Sequence, residues 1–319
     1  MGQLVDGVWQ METLVGRPKD GSFVRADTQF RDQITVDGGS GFKAEKGRYH
    51  LYTSLACPWA HRTLIFRHLK GLEEVISISV VDPFMADEGW AFGESEGCIV
   101  DPLFGARHMH EIYTQARSDY SGRVTVPVLW DRECATIVNN ESAEIIRMFN
   151  SEFTALVPET PDYCPVELQI EIDAVNERVY NDINNGVYRN GFASTQQAYE
   201  KAFDKLFAAL DWAEQRLRRR RYLCGAQLTE ADWRLFPTLL RFDCVYFGHF
   251  KCNFRRIEDY PCLSNYLREL YQIPGIAELC NFRHIKEHYY RSHKSINPTR
   301  IVPRGPEMTL NHPHDRDPL

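Results

Sequence analysis

Residues 53–67 read TSLACPWAHRTLIFR, and the placing of the single cysteine in that stretch decides the fold. Pro58 has no N–H to lose in the first turn of a helix, and its fixed φ already suits one. Cys57 therefore stands at the very start of a helix, directly after the strand-like HLYTS of residues 50–54. A thiol in that position feels the positive end of the helix dipole, which favours thiolate over thiol. Redox sites that close a disulfide carry a second cysteine three residues further on, and here that residue is Ala60. A lone thiol at a helix start, with no neighbour to close on, is the functional question this sequence poses.

Outward from this point the pattern alternates. YHLYTS (49–54) reads as a strand, PWAHRTLIFRHLKG (58–71) as a helix closed by Gly71, and VISISVV (75–81) as a second strand. A stretch of irregular character, 82–123, comes next; insertions of that length are functional or hold their own small structure. TVPVLWD and ATIVN read as two strands joined at DREC, with Pro127 at a strand start or bulge that admits a cis bond. ESAEIIRMFN (141–150) is a short amphipathic helix. The order strand, helix, strand, insertion, strand, strand, helix predicts a small α/β unit with a mixed sheet.

Beyond residue 150 the strand pattern ends. Apolar residues recur at helical spacing over 168–183 and 203–217, and LTEADWRLF opens another helix in which Thr229 and Asp232 form a capping box. Further helices are expected at 260–273 and 276–291. The expected organisation is thus an N-terminal extension (1–47), an α/β domain (48–155) with the insertion 82–123, and a helical domain with an extended tail (156–319). The GGSG at 38–41 lacks the strand–helix context of a phosphate loop and reads as flexible connection.

A net charge of −7 argues against non-specific nucleic-acid binding, and the basic run RLRRRR (216–221) reads as a solvated helix end. No apolar stretch has signal-peptide or membrane-span length, so the expected location is cytoplasmic, with no membrane partner. The odd count of 9 cysteines, without C-x-x-C pairs, fits reduced thiols and no structural zinc site. HIKEH (284–288) spaces two histidines as a metal-binding helix would, but no third ligand has a clear helical home. His61, one turn after Cys57, is expected to face solvent.

Three features fit a peptide-like thiol as the partner of Cys57. The residue before Pro127 is held extended, so the backbone of Val126 can pair with a short peptide. Glu141 and Ser142 lie where the second helix begins, suited to a carboxylate with an adjacent ammonium, as a γ-glutamyl group carries. Arg123 and Trp90 could hold the other end by ion pairing and packing.

Taken together, CPWA at 57–60, VPVLWD, NES, DEGWAFG, NNGVYRNGFA and HYYRSHKSINP make the chain similar to glutathione transferases. More narrowly it resembles their Xi class, the glutathionyl-hydroquinone reductases. The resemblance implies a thioredoxin-like N-terminal domain, an all-α C-terminal domain and a homodimer. It implies Cys57 as nucleophile, glutathione contacts at Trp90, Arg123, Val126, Glu141 and Ser142, and tyrosines 188 and 289 lining the acceptor pocket, with Tyr290 a neighbour. Glutathione would be the co-substrate, no metal would be needed, and the substrate would be a glutathionyl-hydroquinone. An Omega-like thioltransferase or dehydroascorbate reductase, and a non-catalytic protein binding glutathione or hydrophobic ligands, are the alternative readings.

Overall fold

The computed structural model describes residues 2–11 and 18–316, so the N-terminal extension and the C-terminal tail each lie partly outside the described residues. The described residues form two compact units, the first made of residues 2–11, 26–161 and 281–292, the second of residues 18–25, 162–280 and 293–316.

The first unit starts with an antiparallel hairpin of β1 (Gln3–Val5) and β2 (Val8–Gln10). Its tight turn places Gly7 at φ 76° with a Cβ position only 2.0 Å from the Ser118 carbonyl, which leaves room for no other residue. Then come β3 (Tyr49–Thr53), α1 (Pro58–Leu69), β4 (Ser77–Val80), α2 (Met109–Ala116), β5 (Val128–Asp131), β6 (Thr136–Asn139) and α3 (Ser142–Ser151). The sheet order is β4-β3-β5-β6, with β3 parallel to β4 and antiparallel to β5. β3 is central and buried at all five positions, which is why its sequence runs nearly without alternation. Its polar His50 is accommodated by Ser77 and Ser79 of β4, whose hydroxyls lie 2.7 and 2.9 Å from the two ring nitrogens. The insertion does hold its own structure in α2, capped by a reciprocal arrangement of His108 and Glu111.

The second unit is helical. α4 (Gln169–Arg178) runs into a π-helical turn, Val179–Asn184, and on to α5 (Gly186–Gly191). α6 (Gln196–Leu217), α7 (Glu230–Arg241), a second π-helical turn (Phe242–Tyr246), α8 (Phe247–His249) and α9 (Pro261–Tyr271) complete it. The capping box at Thr229 and Asp232 is present. Trp233, fully buried behind it, contributes on the order of 3 kcal/mol by leaving water. The last helix, α10 (Phe282–Ser292), joins the first unit.

Three expectations need correction. The helix expected over 276–291 is a short 3-10 turn (Ala277–Leu279) followed by α10, because the Asn281 carboxamide accepts the His284 N–H at 2.9 Å and starts a new helix there. The GGSG segment is a bonded turn: Gly38 and Gly41 donate to Thr35 and Gly38, and both adopt positive φ. The basic run does stand at the solvated end of α6, with Arg218, Arg219 and Arg220 exposed, and it also forms ion pairs, Arg216 and Arg220 with Glu171 and Arg221 with Glu269. His61 is fully buried, because α1 buries Pro58 and every residue from Ala60 to Phe66 and so has no solvent face over its first two turns.

Candidate active site

Cys57 is the residue that caps α1, with extended φ −76° and ψ 124°, and Pro58 follows in the first turn. No acidic residue lies in that turn, so nothing there opposes the dipole, while Arg67 and His68 complement its far end. The thiol is 9% exposed and donates to the Val126 carbonyl at 3.6 Å. Val126 precedes a cis peptide bond to Pro127, immediately before β5. Cys57, Val126 and Trp90 belong to one buried cluster, so three residues far apart in sequence are brought together.

Trp90 is held in the insertion by its backbone carbonyl, which accepts the Met109 N–H at 2.9 Å. Its ring stacks on His288 of α10 at 4.6 Å and 16°. His288 in turn donates from Nδ1 to the Pro83 carbonyl at 3.0 Å and meets the Tyr289 ring edge-on at 5.1 Å. Tyr289 is 1% exposed and Tyr290 half-buried.

Glu141 and Ser142 stand where α3 begins. The Glu141 carboxylate accepts the Ala143 N–H at 3.1 Å, and the Glu141 N–H donates to Asn139 at 2.7 Å. Ser142 is buried, and its hydroxyl lies 3.5 Å from an Arg62 nitrogen. Arg62 itself is 1% exposed, with its guanidinium 4.6 Å over the Trp59 ring, so α1 and α3 share a buried cation at this corner of the unit. Arg123 is half-buried, and its carbonyl accepts the Tyr120 hydroxyl at 3.2 Å.

Tyr188 lies in the second unit, on α5, half-buried among rings. Phe250 is 5.5 Å away, Tyr246 6.1 Å and Phe192 6.3 Å, and the Arg25 guanidinium sits 4.8 Å over its face. The Arg25 side chain is fixed by the Asn185 carboxamide at 2.8 Å.

Arg62 was not singled out in the sequence, and His288 was considered there only as half of a pair with metal-ligand spacing. Arg62 carried a signal, a charge at a position surrounded by apolar helix residues. His288 carried none, since the spacing of HIKEH pointed toward metal instead. In the fold His284 and His288 bond backbone carbonyls of Glu96 and Pro83.

Comparison with known proteins agrees with this architecture. Residues 56–152 match the glutathione S-transferase N-terminal domain and residues 196–269 the C-terminal domain. The glutathionyl-hydroquinone reductase YqjG of Escherichia coli K12 is 54% identical over 99% of both chains, and its glutathione-bound structure superposes with a TM-score of 0.92. The glutathionyl-hydroquinone reductase PcpF of Sphingobium chlorophenolicum is 52% identical over 97% of this chain and 98% of its own. A Xi-class transferase from Natrialba magadii superposes with a TM-score of 0.95 at 49% identity, covering 100% of this chain and 97% of its own. The chain belongs to the glutathione S-transferase family, in its Xi class of glutathionyl-hydroquinone reductases.

Proposed function

We propose that this chain reduces glutathionyl-hydroquinones to hydroquinones at the expense of glutathione. The observation that carries the reading is Cys57 at the helix start with alanine, not cysteine, three residues on. The Cys57 thiolate attacks the sulfur of the conjugate; the carbon–sulfur bond breaks, its electron pair stays on the ring, and the ring carbon takes a proton. Hydroquinone leaves, and a Cys57–glutathione mixed disulfide remains. A second glutathione thiolate attacks that disulfide and restores Cys57 as oxidised glutathione departs. The ring gains two electrons and the two thiols lose two.

Residues 48–155 would form the glutathione-binding domain. Val126 would pair with the peptide backbone of glutathione, Glu141 and Ser142 would take its γ-glutamyl end, and Trp90 and Arg123 would hold the rest. Tyr188 and Tyr289 would hold the ring hydroxyls, one of them supplying the proton. No metal takes part in these steps. The assembly proposed is a homodimer and the location cytoplasmic, in keeping with nine free thiols. Among the described residues no helix is long and apolar enough to cross a membrane.

The test is an anaerobic reaction of a glutathionyl-hydroquinone with excess glutathione, with Cys57→Ser beside the parent chain. Equal yields of hydroquinone and oxidised glutathione, abolished in the variant, are expected. No product from the parent chain would overturn the reading and leave mixed disulfides or dehydroascorbate as the substrates to try.

A further inference from the structure

Three segments of the first unit converge on His110, at the start of α2. Trp9 of β2 stacks on its ring at 4.9 Å. The His108 ring lies parallel to it, 5.1 Å away at 5°. Its Nε2 is 3.1 Å from Oε2 of Glu88, which sits at the tip of the 86–89 turn. That turn is tied to the hairpin, since the Trp9 indole N–H donates to the Asp87 carbonyl at 2.9 Å. Gly89 makes the approach feasible: its φ is 75°, and a Cβ there would lie 2.9 Å from the Trp9 ring.

One ligand atom each from Glu88, His108 and His110 lie within 4.8 Å of one another. Two imidazoles and a carboxylate are the donor set of a borderline divalent cation such as zinc, with water in the fourth place. Bonds of about 2.0–2.1 Å at tetrahedral angles put ligand atoms about 3.3 Å apart, so the Glu88–His110 pair is already at that spacing. A fourth side chain completes the pattern. Glu111 Oε1 lies 3.2 Å from His108 Nδ1 and is itself held by the N–H groups of Arg107 and His108. An outer carboxylate on one ring nitrogen leaves the other for a metal and orients the ring.

We propose that Glu88, His108 and His110 bind one divalent cation of the zinc class, with Glu111 orienting His108. The consequence for the molecule lies at Trp90. It is two residues from Glu88, and its carbonyl is bonded to the N–H of Met109, between the two histidines. A cation across 88, 108 and 110 clamps the segment that carries Trp90. That consequence rests on the glutathione contact proposed for Trp90; the cation site does not.

Equilibrium dialysis of the full chain against Zn²⁺ at neutral pH tests the proposal. One bound equivalent is expected in the parent and in a Cys57→Ser, Cys134→Ser double variant, which removes the two thiols best placed to compete. His110→Ala and Glu88→Gln should bind at least about tenfold more weakly, and Glu111→Gln about tenfold more weakly through His108. Affinity should fall as pH drops below about 6.5, where protons compete for imidazole. With Co²⁺ the visible spectrum should show tetrahedral d–d bands without thiolate charge transfer. Glu88 is exposed, so its variant gives a clear reading even if His110→Ala fails to fold. Unchanged binding in both ligand variants, loss in the cysteine variant instead, or no bound equivalent would each overturn the site.

Discussion

His288 packs flat against Trp90, and that stack is worth about 0.5–1.5 kcal/mol beyond its area. His288→Ala should therefore raise the KM for glutathione several-fold, up to about tenfold, with kcat nearly unchanged. A fall in kcat at constant KM would instead place His288 in the chemistry. His50 makes a different prediction. Burial holds its imidazole neutral, with the pKa pushed down to about 4. Its folded pKa lies below the unfolded 6.5, so between those values the unfolded chain binds the extra proton. Its contribution is intact above pH 6.5 and is lost as pH falls toward 4, by up to about 3 kcal/mol. Chemical denaturation across that window should show a shallower loss in His50→Gln than in the parent; equal slopes would contradict the burial argument. At this scale Cys57 was legible, because a proline after a cysteine has a local meaning. The burial of His61 and the partnership of His288 with Trp90 were not, because both depend on residues distant in sequence.

Helix α7 begins on a capping box with more partners than the motif needs. The Asp232 carboxylate accepts from the Thr229 N–H and hydroxyl, the Leu223 N–H and the Tyr266 hydroxyl, all within 3.0 Å. Asp232→Ala would leave those buried donors without an acceptor and should cost about 3 kcal/mol or more, read as a lower urea midpoint at unchanged m. α5 is equally intolerant for another reason. A Cβ on Gly191 would lie 2.2 Å from the Phe250 ring, which also packs on Tyr188. Gly191→Ala should displace Phe250 and disturb the tyrosine fluorescence of that cluster, whereas Gly225, with open space around its Cβ position, gives no such clash. The capping box could be read from LTEADW because its chemistry is local. The 276–281 stretch misled because Ile-Ala-Glu-Leu has helical composition; the asparagine at 281 was the local signal of a restart.

At the scale of the whole molecule, nine thiols are free. Burial pushes Cys224 and Cys280 up to about 12 and Cys98 to about 11, and Cys244 is 1% exposed. In a Cys134→Ser background, which removes the exposed thiol, titration with a thiol reagent at neutral pH should show one fast group in the native chain, absent when Cys57→Ser is added, and eight after unfolding. A fast phase that survives in the variant would remove the special reactivity assigned to Cys57. The division into an α/β part and a helical part was legible because strand-like runs stop near residue 150 and only helical spacing continues beyond it. A helical period does not, however, say which core a helix will join, and α10 with Trp90's partner lies in the first unit.

The π-helical turn at Val179–Asn184 sets the angular phase of the chain that follows it. A π turn holds about one residue more than an α turn, so Tyr188 stands about 100° from where the same sequence would place it in an uninterrupted α-helix. That straight helix would aim the tyrosine away from Arg25 and Phe250. The ring cluster around Tyr188 therefore depends on backbone bonds made earlier in the chain, at residues outside the cluster.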